Sequence, residues 1–237
     1  RTKVRGQDAA IEKVAQRLAI TRTGLDLRPQ RPNGVFLFTG PTGVGKTELA
    51  TQIAVAEYGS PDRLIRLDMS EYSHDWAVSR IAGPMPGYVG STEPESWLTT
   101  RVAAMPYCVV LLDEIEKAHP RVWNVFLQVF DAGRLTDSRG TTADFAHTTI
   151  VMTSNLGARE ASSAGVGFGS ASGNGVRQLE VIKDTMAPEL LNRMDEVIVF
   201  NPLSLTVIEE IAEAELRSAV TRLNAKGWLI DYDPDVP

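Results

Sequence analysis

The sequence predicts an α/β fold in which helices flank a parallel five-stranded sheet, because apolar runs of strand length alternate with helical patterns along the chain. The run Val109–Leu112 contains no polar residue, which is typical of a central strand buried on both faces. Helices are expected at about residues 8–20, 46–58 and 120–130, with one or two more between 177 and 192. The strand candidates are, in chain order, Val35–Thr39, Leu64–Leu67, Cys108–Leu112, Thr149–Thr153 and Glu196–Phe200.

The sequence also indicates a boundary near residue 202. Asn201-Pro202 interrupts the alternation, and an amphipathic helical pattern follows from Leu203 to Ala225. We therefore expect a large domain over residues 1–201 and the start of a small helical subdomain over residues 202–237. Residues 83–90 are rich in Pro and Gly, and residues 157–175 are rich in Gly, Ser and Ala. Both stretches are therefore expected to be loops.

Composition and charge narrow the class of protein. The chain is 43% apolar and 23% charged, with a net charge of −6, which disfavours a general affinity for nucleic acid. It has no apolar run of membrane-spanning length, and residues 1–8 contain no apolar segment that would indicate a secretory signal. Cys108, the single cysteine, lies in an apolar run and is expected in the core, which suits a cytoplasmic protein. We therefore expect a cytoplasmic protein with no nucleic-acid or membrane partner. The chain begins within a motif and without Met, as a piece of a longer protein would.

A phosphate-binding motif lies between the first strand candidate and the next helix. Its glycines allow backbone N–H groups to surround phosphates, and the helix N-terminus adds a favourable partial charge. The lysine of such a motif reaches the β- and γ-phosphates of ATP, and the following hydroxyl binds Mg²⁺. The alternative is a glycine-rich turn that only resembles the motif. The residues that match G-x-x-x-x-G-K-[ST] are Gly40, Pro41, Thr42, Gly43, Val44, Gly45, Lys46 and Thr47.

Two carboxylates follow the buried strand. Asp113 and Glu114 come at the carboxyl end of a predicted central parallel strand, which is where α/β folds bind ligands. Asp113 suits Mg²⁺, directly or through water, and Glu114 suits polarising the attacking water. The alternative is a strand that ends at a solvated acidic turn.

With these motifs in view, the chain resembles the AAA+ module of Clp-type unfoldases, specifically the second ATPase ring of two-ring members, and is most similar to the ClpC-like members that partner a peptidase. The resemblance runs almost from end to end. The phrases that carry it are at residues 4–8, 40–49, 67–72, 112–120, 152–155 and 188–193.

The resemblance implies further site residues. Val4 and Gly6 fall in the family's adenine-side box, and Asn155 matches the first sensor, which orients water near the γ-phosphate. Arg193 matches the arginine finger that reaches a neighbouring subunit's nucleotide in a homo-hexameric ring. From the residues alone, Asn155 could instead cap a turn, and Arg193 could form a surface ion pair with Asp195 or Glu196.

Two loops would contact proteins if the resemblance holds. Tyr88 and Val89 match the pore loop that grips an unfolded polypeptide substrate, although a tyrosine folded back on its own domain is the alternative. Val166-Gly167-Phe168 are apolar residues in a loop of Gly, Ala, Ser and Asn, and match the tripeptide that docks on a Clp peptidase. Chance similarity or local packing of Phe168 is the alternative.

Departures from the family pattern limit what carries over. Residues 91–96 replace the usual aromatic-acidic-glycine continuation of the pore loop, and residues 104–107 lack the usual basic residues. The family's second sensor lies beyond residue 237, so the small subdomain is expected to be incomplete. A stand-alone disaggregase and, from another class, a nucleic-acid remodelling ATPase remain as alternatives to the peptidase-coupled unfoldase.

Overall fold

The computed structural model describes residues 3–24, 28–83, 95, 97–157 and 171–228, with the backbone alone for residues 171–175. Its centre is one five-stranded sheet, in the order β2-β3-β6-β1-β7, and every pairing in it is parallel. The strands of this sheet are β1 (Gly34–Thr39), β2 (Leu64–Asp68), β3 (Val109–Asp113), β6 (Thr149–Ser154) and β7 (Glu196–Val199). The parallel five-stranded sheet predicted from the sequence is therefore confirmed.

Helices cover both faces of the sheet. Because successive side chains of a strand point to opposite faces, each strand contributes to two separate apolar layers. Val35 and Leu37 of β1 join one layer, whereas Phe36 and Phe38 join the other. Every residue of β1, β3 and β6 is buried, as expected for central parallel strands. The α-helices are α1 (Asp8–Arg22), α2 (Lys46–Tyr58), α3 (Ser79–Ala82), α4 (Leu98–Ala104), α5 (Pro120–Ala132), α6 (Ala171–Thr185), α7 (Pro188–Leu191) and α8 (Leu205–Asn224).

The predicted elements agree with the structure to within one residue at most strand ends, but some features differ. A two-stranded hairpin of β4 (Arg134–Thr136) and β5 (Thr142–Asp144) was not expected, because three-residue strands leave little pattern in a sequence. The short helix α4 was also not expected. The predicted loop at 157–175 is wrong at its end, since α6 already begins at Ala171. Helical hydrogen bonding there outweighs the low helix propensity of Gly and Ser.

The long helix α8 has no buried residue among its 20 residues, and even its apolar residues Leu205 and Ile208 are exposed. Its N-terminus is fixed by the Ser204 hydroxyl, which accepts a hydrogen bond from the Val207 N–H. In the described part of the chain, no helix is long and apolar enough to cross a bilayer.

Candidate active site at the carboxyl edge of the sheet

The loop between β1 and α2 has a backbone that requires glycine. Gly40 has a φ of 147°, and a Cβ added there would lie 2.5 Å from the Phe200 carbonyl oxygen. Gly45 has a φ of 101° and immediately precedes the first residue of α2. Both conformations are unfavourable for residues with a side chain. The loop therefore turns tightly against Phe200, the residue after β7, and places the N-terminus of a 13-residue helix at the edge of the sheet.

Lys46 is the first residue of α2, and its side chain is held by three oxygens. Its Nζ donates hydrogen bonds to the carbonyl oxygens of Gly40 (2.5 Å) and Pro41 (2.7 Å), and to Oδ1 of Asn155 (2.8 Å). Burial lowers the pKa of Lys46 to about 8, although the nearby carboxylates oppose this shift. The first loop and the end of β6 are thus joined through one ammonium group.

Asn155 follows β6 and uses both ends of its amide. Its Oδ1 accepts from Lys46, and its Nδ2 donates to Oε1 of Glu114 at 3.0 Å. Its backbone N–H donates to Oε1 of Glu116, also at 3.0 Å. A turn-capping role for Asn155, which the sequence left open, does not describe this geometry, because the side chain connects two charged groups from different segments.

Asp113 ends β3 and is fixed on both carboxylate oxygens. Oδ1 accepts a hydrogen bond from the Thr153 hydroxyl, and Oδ2 accepts one from Arg66, both at 2.5 Å. The same Thr153 hydroxyl accepts the Glu114 backbone N–H at 2.9 Å. Neighbouring parallel strands therefore set the position of Asp113 and the start of the turn that follows it.

Glu114 has the backbone strain that is typical of functional positions. Its φ of 57° and ψ of 54° lie in the left-handed region, and it is the one non-glycine residue with positive φ in the described ranges. Such a conformation costs on the order of 1–3 kcal/mol and persists where the surroundings impose it. The carboxylate is held by Asn155 on one oxygen and by Lys117 on the other, with Lys117 Nζ at 2.5 Å from Oε2.

Most of these residues line one open pocket of about 490 Å³, a size typical of small-molecule sites. The predicted residues Lys46, Thr47, Asp113, Glu114 and Asn155 all contribute to it. The Thr47 hydroxyl and the Asp113 carboxylate are hard oxygen donors of the kind Mg²⁺ prefers, so the donor set fits that ion. Among the described residues, the lining consists of Thr42, Gly43, Gly45, Lys46, Thr47, Glu48, Arg66, Asp68, Asp113, Glu114, Thr153 and Asn155.

Arg193 lies outside this pocket and is paired within its own chain. Its guanidinium binds Asp131 at 2.6 Å and Glu189 at 3.2 Å, and these partners raise its pKa. The ion pair with Asp195 or Glu196 that the sequence suggested is therefore wrong. Asp195 instead binds Arg17 at 3.1 Å.

The predicted adenine-side residues, Val4 and Gly6, do not line the polar pocket. Val4 is buried, and its Cγ1 would be 3.7 Å from a Cβ at Gly45. It lines a separate apolar groove of about 410 Å³ between α1 and α2. Gly6 has a φ of 69° and packs against Val207 of α8.

The two loops predicted to contact proteins lie outside the described residues. This applies to Tyr88 and Val89, and to Val166, Gly167 and Phe168.

Sequence reasoning missed several residues of the site. Arg66 and Asp68 belong to β2, and Asp68 is directly opposite Asp113 in the sheet register. Glu116 and Lys117 follow Glu114 in the chain and could have been noticed as a run of charges. Arg66 carried no comparable signal, because its role depends on which strand lies beside β3.

Comparison with known proteins identifies the family to which this chain belongs. Residues 31–197 match the family model described as the AAA domain (Cdc48 subfamily). The chaperone protein ClpB of Vibrio vulnificus strain YJ016 is 44% identical over 97% of this chain and 26% of its own length. The chloroplastic chaperone protein ClpC2 of Arabidopsis thaliana is 45% identical over 95% of this chain and 24% of its own length.

Two solved structures are also similar to this chain. The Hsp104–ADP complex of S. cerevisiae has a TM-score of 0.82 and 38% identity, over 94% of this chain and 38% of that chain. A closed state of Hsp104 with ATPγS and FITC-casein also has a TM-score of 0.82, with 39% identity over 93% of this chain and 37% of that chain. The chain therefore belongs to the AAA domain family (Cdc48 subfamily), and it is similar to the Clp-type members named above. It spans about a quarter of the length of the curated relatives described above.

Proposed function

We propose that this chain is the ATP-hydrolysing module of a motor that unfolds polypeptides and threads them through a ring pore. The single observation that carries the proposal is the hydrogen-bonded series Lys46–Asn155–Glu114, which joins a phosphate-binding loop to a carboxylate beside Asp113. ATP hydrolysis requires three groups in one pocket: a cation that binds the phosphates, a ligand for Mg²⁺, and a base that accepts a proton from the attacking water.

In this proposal, each residue of the pocket has a separate role in ATP hydrolysis. The loop Gly40–Thr47 and the N-terminus of α2 bind the phosphates, and Lys46 neutralises the β- and γ-phosphates. Thr47 and Asp113 would hold Mg²⁺, which would neutralise charge on the phosphate oxygens. Glu114 accepts a proton from the attacking water, and Asn155 orients that water next to the γ-phosphate. Val4 and Gly6 belong to the segment on the adenine side.

Assembly completes the site in this proposal. Arg193 lies outside the pocket of its own chain, as expected for a group that serves a neighbour's nucleotide. In a homo-hexameric ring it would exchange Asp131 and Glu189 for the γ-phosphate of the next subunit. A guanidinium suits this role because it stays charged and offers several donors.

A polypeptide substrate is supported by the relatives and by the pore-loop residues. One of the two similar Hsp104 structures is a complex with ATPγS and FITC-casein, which is a polypeptide. Tyr88 and Val89 would contact an unfolded chain through apolar area, which requires no particular sequence. A pore that tracks nucleic acid would instead favour basic residues, so a nucleic-acid remodelling ATPase is the weaker alternative.

The proposal also includes a partner protein that receives the unfolded chain. Val166-Gly167-Phe168 favours a Clp-type peptidase, because a short apolar tripeptide in a polar loop suits docking in a pocket. A stand-alone disaggregase of ClpB type is the alternative, and relatives with both ClpB and ClpC names match the chain equally well. The proposed compartment is the cytoplasm.

The test uses the full-length protein with a candidate peptidase and a tagged unfolded substrate. We expect Phe168→Ala to reduce degradation and peptidase binding steeply while ATP hydrolysis and unfolding persist. Tyr107→Ala is the control: it removes an aromatic ring that is exposed in the structure and should leave degradation intact. Undiminished degradation in Phe168→Ala would contradict docking through this tripeptide, and unfolding by the native protein without any peptidase-dependent degradation would favour the disaggregase. If the Lys46→Ala and Tyr88→Ala variants both still unfolded the substrate, the proposed motor function would be contradicted.

A further inference from the structure

The turn after Glu114 carries another carboxylate to which the proposed mechanism gives no role. Glu116 lies in the 3₁₀ turn Ile115–Lys117, and its Oε1 accepts the backbone N–H of Asn155 at 3.0 Å. Its Oε2 is buried and has no hydrogen-bond partner among the described residues. The Asn155 backbone is thus the group that this carboxylate binds in the described part of the chain.

Asn155 needs such a partner because of where it lies. The ladder between β1 and β6 ends at the pair Thr39–Ser154, so the sheet register does not extend to Asn155. A backbone N–H just beyond a buried strand requires an acceptor, and a charged acceptor forms the stronger hydrogen bond. Glu116 therefore supplies the constraint that the sheet no longer provides.

The same turn fixes both partners of the reaction centre. Glu114 begins the turn and accepts from the Asn155 side chain, whereas Glu116, two residues later, accepts from the Asn155 backbone. One rigid segment thereby sets the distance between the amide of Asn155 and the carboxylate of Glu114. If the backbone bond were lost, the amide could leave Glu114 and Lys46 without disturbing the sheet.

We propose that Glu116 is a positioning residue for ATP hydrolysis, acting through the backbone of Asn155 to hold its amide between Lys46 and Glu114. This inference rests on the proposed function. A misplacement of about 1 Å in a reacting group lowers turnover by on the order of 100-fold, whereas nucleotide binding by the phosphate loop does not depend on that alignment.

The experiment compares Glu116→Gln with Glu116→Ala in the full-length protein. Both variants remove the same charge, but only glutamine keeps an oxygen that can accept the Asn155 N–H, so their difference isolates the hydrogen bond. We expect kcat for ATP in Glu116→Ala to be about 10- to 100-fold below that of Glu116→Gln. The Kd values for nucleotide should agree within about threefold, since the phosphate contacts are unchanged. Glu12→Gln, on the exposed face of α1, is the matched surface control.

The outcomes separate this inference from the function on which it rests. Equal kcat values for the two Glu116 variants would overturn it, and so would a parallel loss of kcat, nucleotide affinity and melting temperature in Glu116→Ala alone. Glu114→Gln is measured in the same assay. If Glu114→Gln abolishes turnover while the Glu116 variants match, only the positioning role fails. If Glu114→Gln keeps native turnover, the proposed function and this inference both fail.

Discussion

The Nζ of Lys46 donates a hydrogen bond of 2.8 Å to Oδ1 of Asn155, although 109 residues separate the two in sequence. The same ammonium also donates to the carbonyl oxygens of Gly40 and Pro41, so its three N–H donors are all used. A phosphate that binds Lys46 must therefore replace one of these acceptors. Asn155 is the acceptor on a side chain, and it is also bound to Glu114.

The first prediction concerns Asn155→Ala in the full-length protein. Removing the amide leaves Glu114 without one hydrogen-bond donor, and we expect kcat for ATP to fall by about 100- to 1,000-fold. Nucleotide affinity should be unchanged or higher, because Lys46 loses an acceptor that competes with phosphate. Steady-state kinetics and fluorescent-nucleotide titration measure the two effects. A large loss of affinity with native kcat would contradict this role for Asn155.

A second prediction concerns the loop backbone at Gly40. Gly40→Ala introduces a Cβ 2.5 Å from the carbonyl oxygen of Phe200, the residue after β7, whose backbone N–H is bound to the Thr39 carbonyl and cannot easily move away. Gly140→Ala is the matched control, since Gly140 also has positive φ (84°) but has no atom within 4 Å of an added Cβ. We expect Gly40→Ala to lower the free energy of unfolding by about 1–3 kcal/mol more than the control does. Chemical denaturation gives both values, and equal values would show that the contact with Phe200 is unimportant.

Arg193 gives the third prediction, which tests action across a subunit interface. Arg193→Ala in the full-length protein should lower ATP turnover by about 10³- to 10⁵-fold, as removal of an arginine finger does. Mixing this variant with Lys46→Ala subunits should restore part of the activity, because the second variant supplies an intact Arg193 to sites with an intact Lys46. An arginine that acted within its own chain would give no recovery on mixing.

The fourth prediction uses the buried thiol of Cys108 as a probe of the fold. Burial raises the pKa of Cys108 to about 12, so the reactive thiolate is scarce at pH 8. Iodoacetamide should label the unfolded chain but not the folded one at that pH. The unfolded thiol has the lower pKa and releases its proton first, so this group should lower stability as pH rises from about 9 to 12. Rapid labelling of the native protein would show that the core around Cys108, next to β3, is accessible to the reagent.

Much of the fold was predictable because the central strands are buried on both faces. Runs such as Val109–Leu112 have no polar alternation, and the strand bounds agree with the structure to within one residue. Lys46, Asp113 and Glu114 were predictable for another reason. Asp113 and Glu114 lie at the carboxyl end of a parallel strand, and Lys46 begins the helix after the loop that follows another strand; those strand ends share one edge of the sheet.

The remaining features depend on tertiary contacts that leave no local pattern. Arg66 binds Asp113 because β2 lies beside β3, and the order of strands cannot be read from their sequences. Asp131, the partner of Arg193, is 62 residues distant in the chain. The left-handed backbone conformation of Glu114 could not be predicted from the sequence either, because glutamate has no preference for that conformation.

The central claim is that the pocket around Lys46 and Glu114 hydrolyses ATP. It is tested most directly by measuring ATP turnover and nucleotide Kd together for Glu114→Gln and Lys46→Ala in the full-length protein. We expect Glu114→Gln to bind ATP with a Kd within about threefold of native while its turnover falls by on the order of 100-fold or more. Lys46→Ala should lose nucleotide affinity itself, because the phosphates lose their buried cation. Native turnover in Glu114→Gln, or native affinity in Lys46→Ala, would contradict the assignment of this pocket.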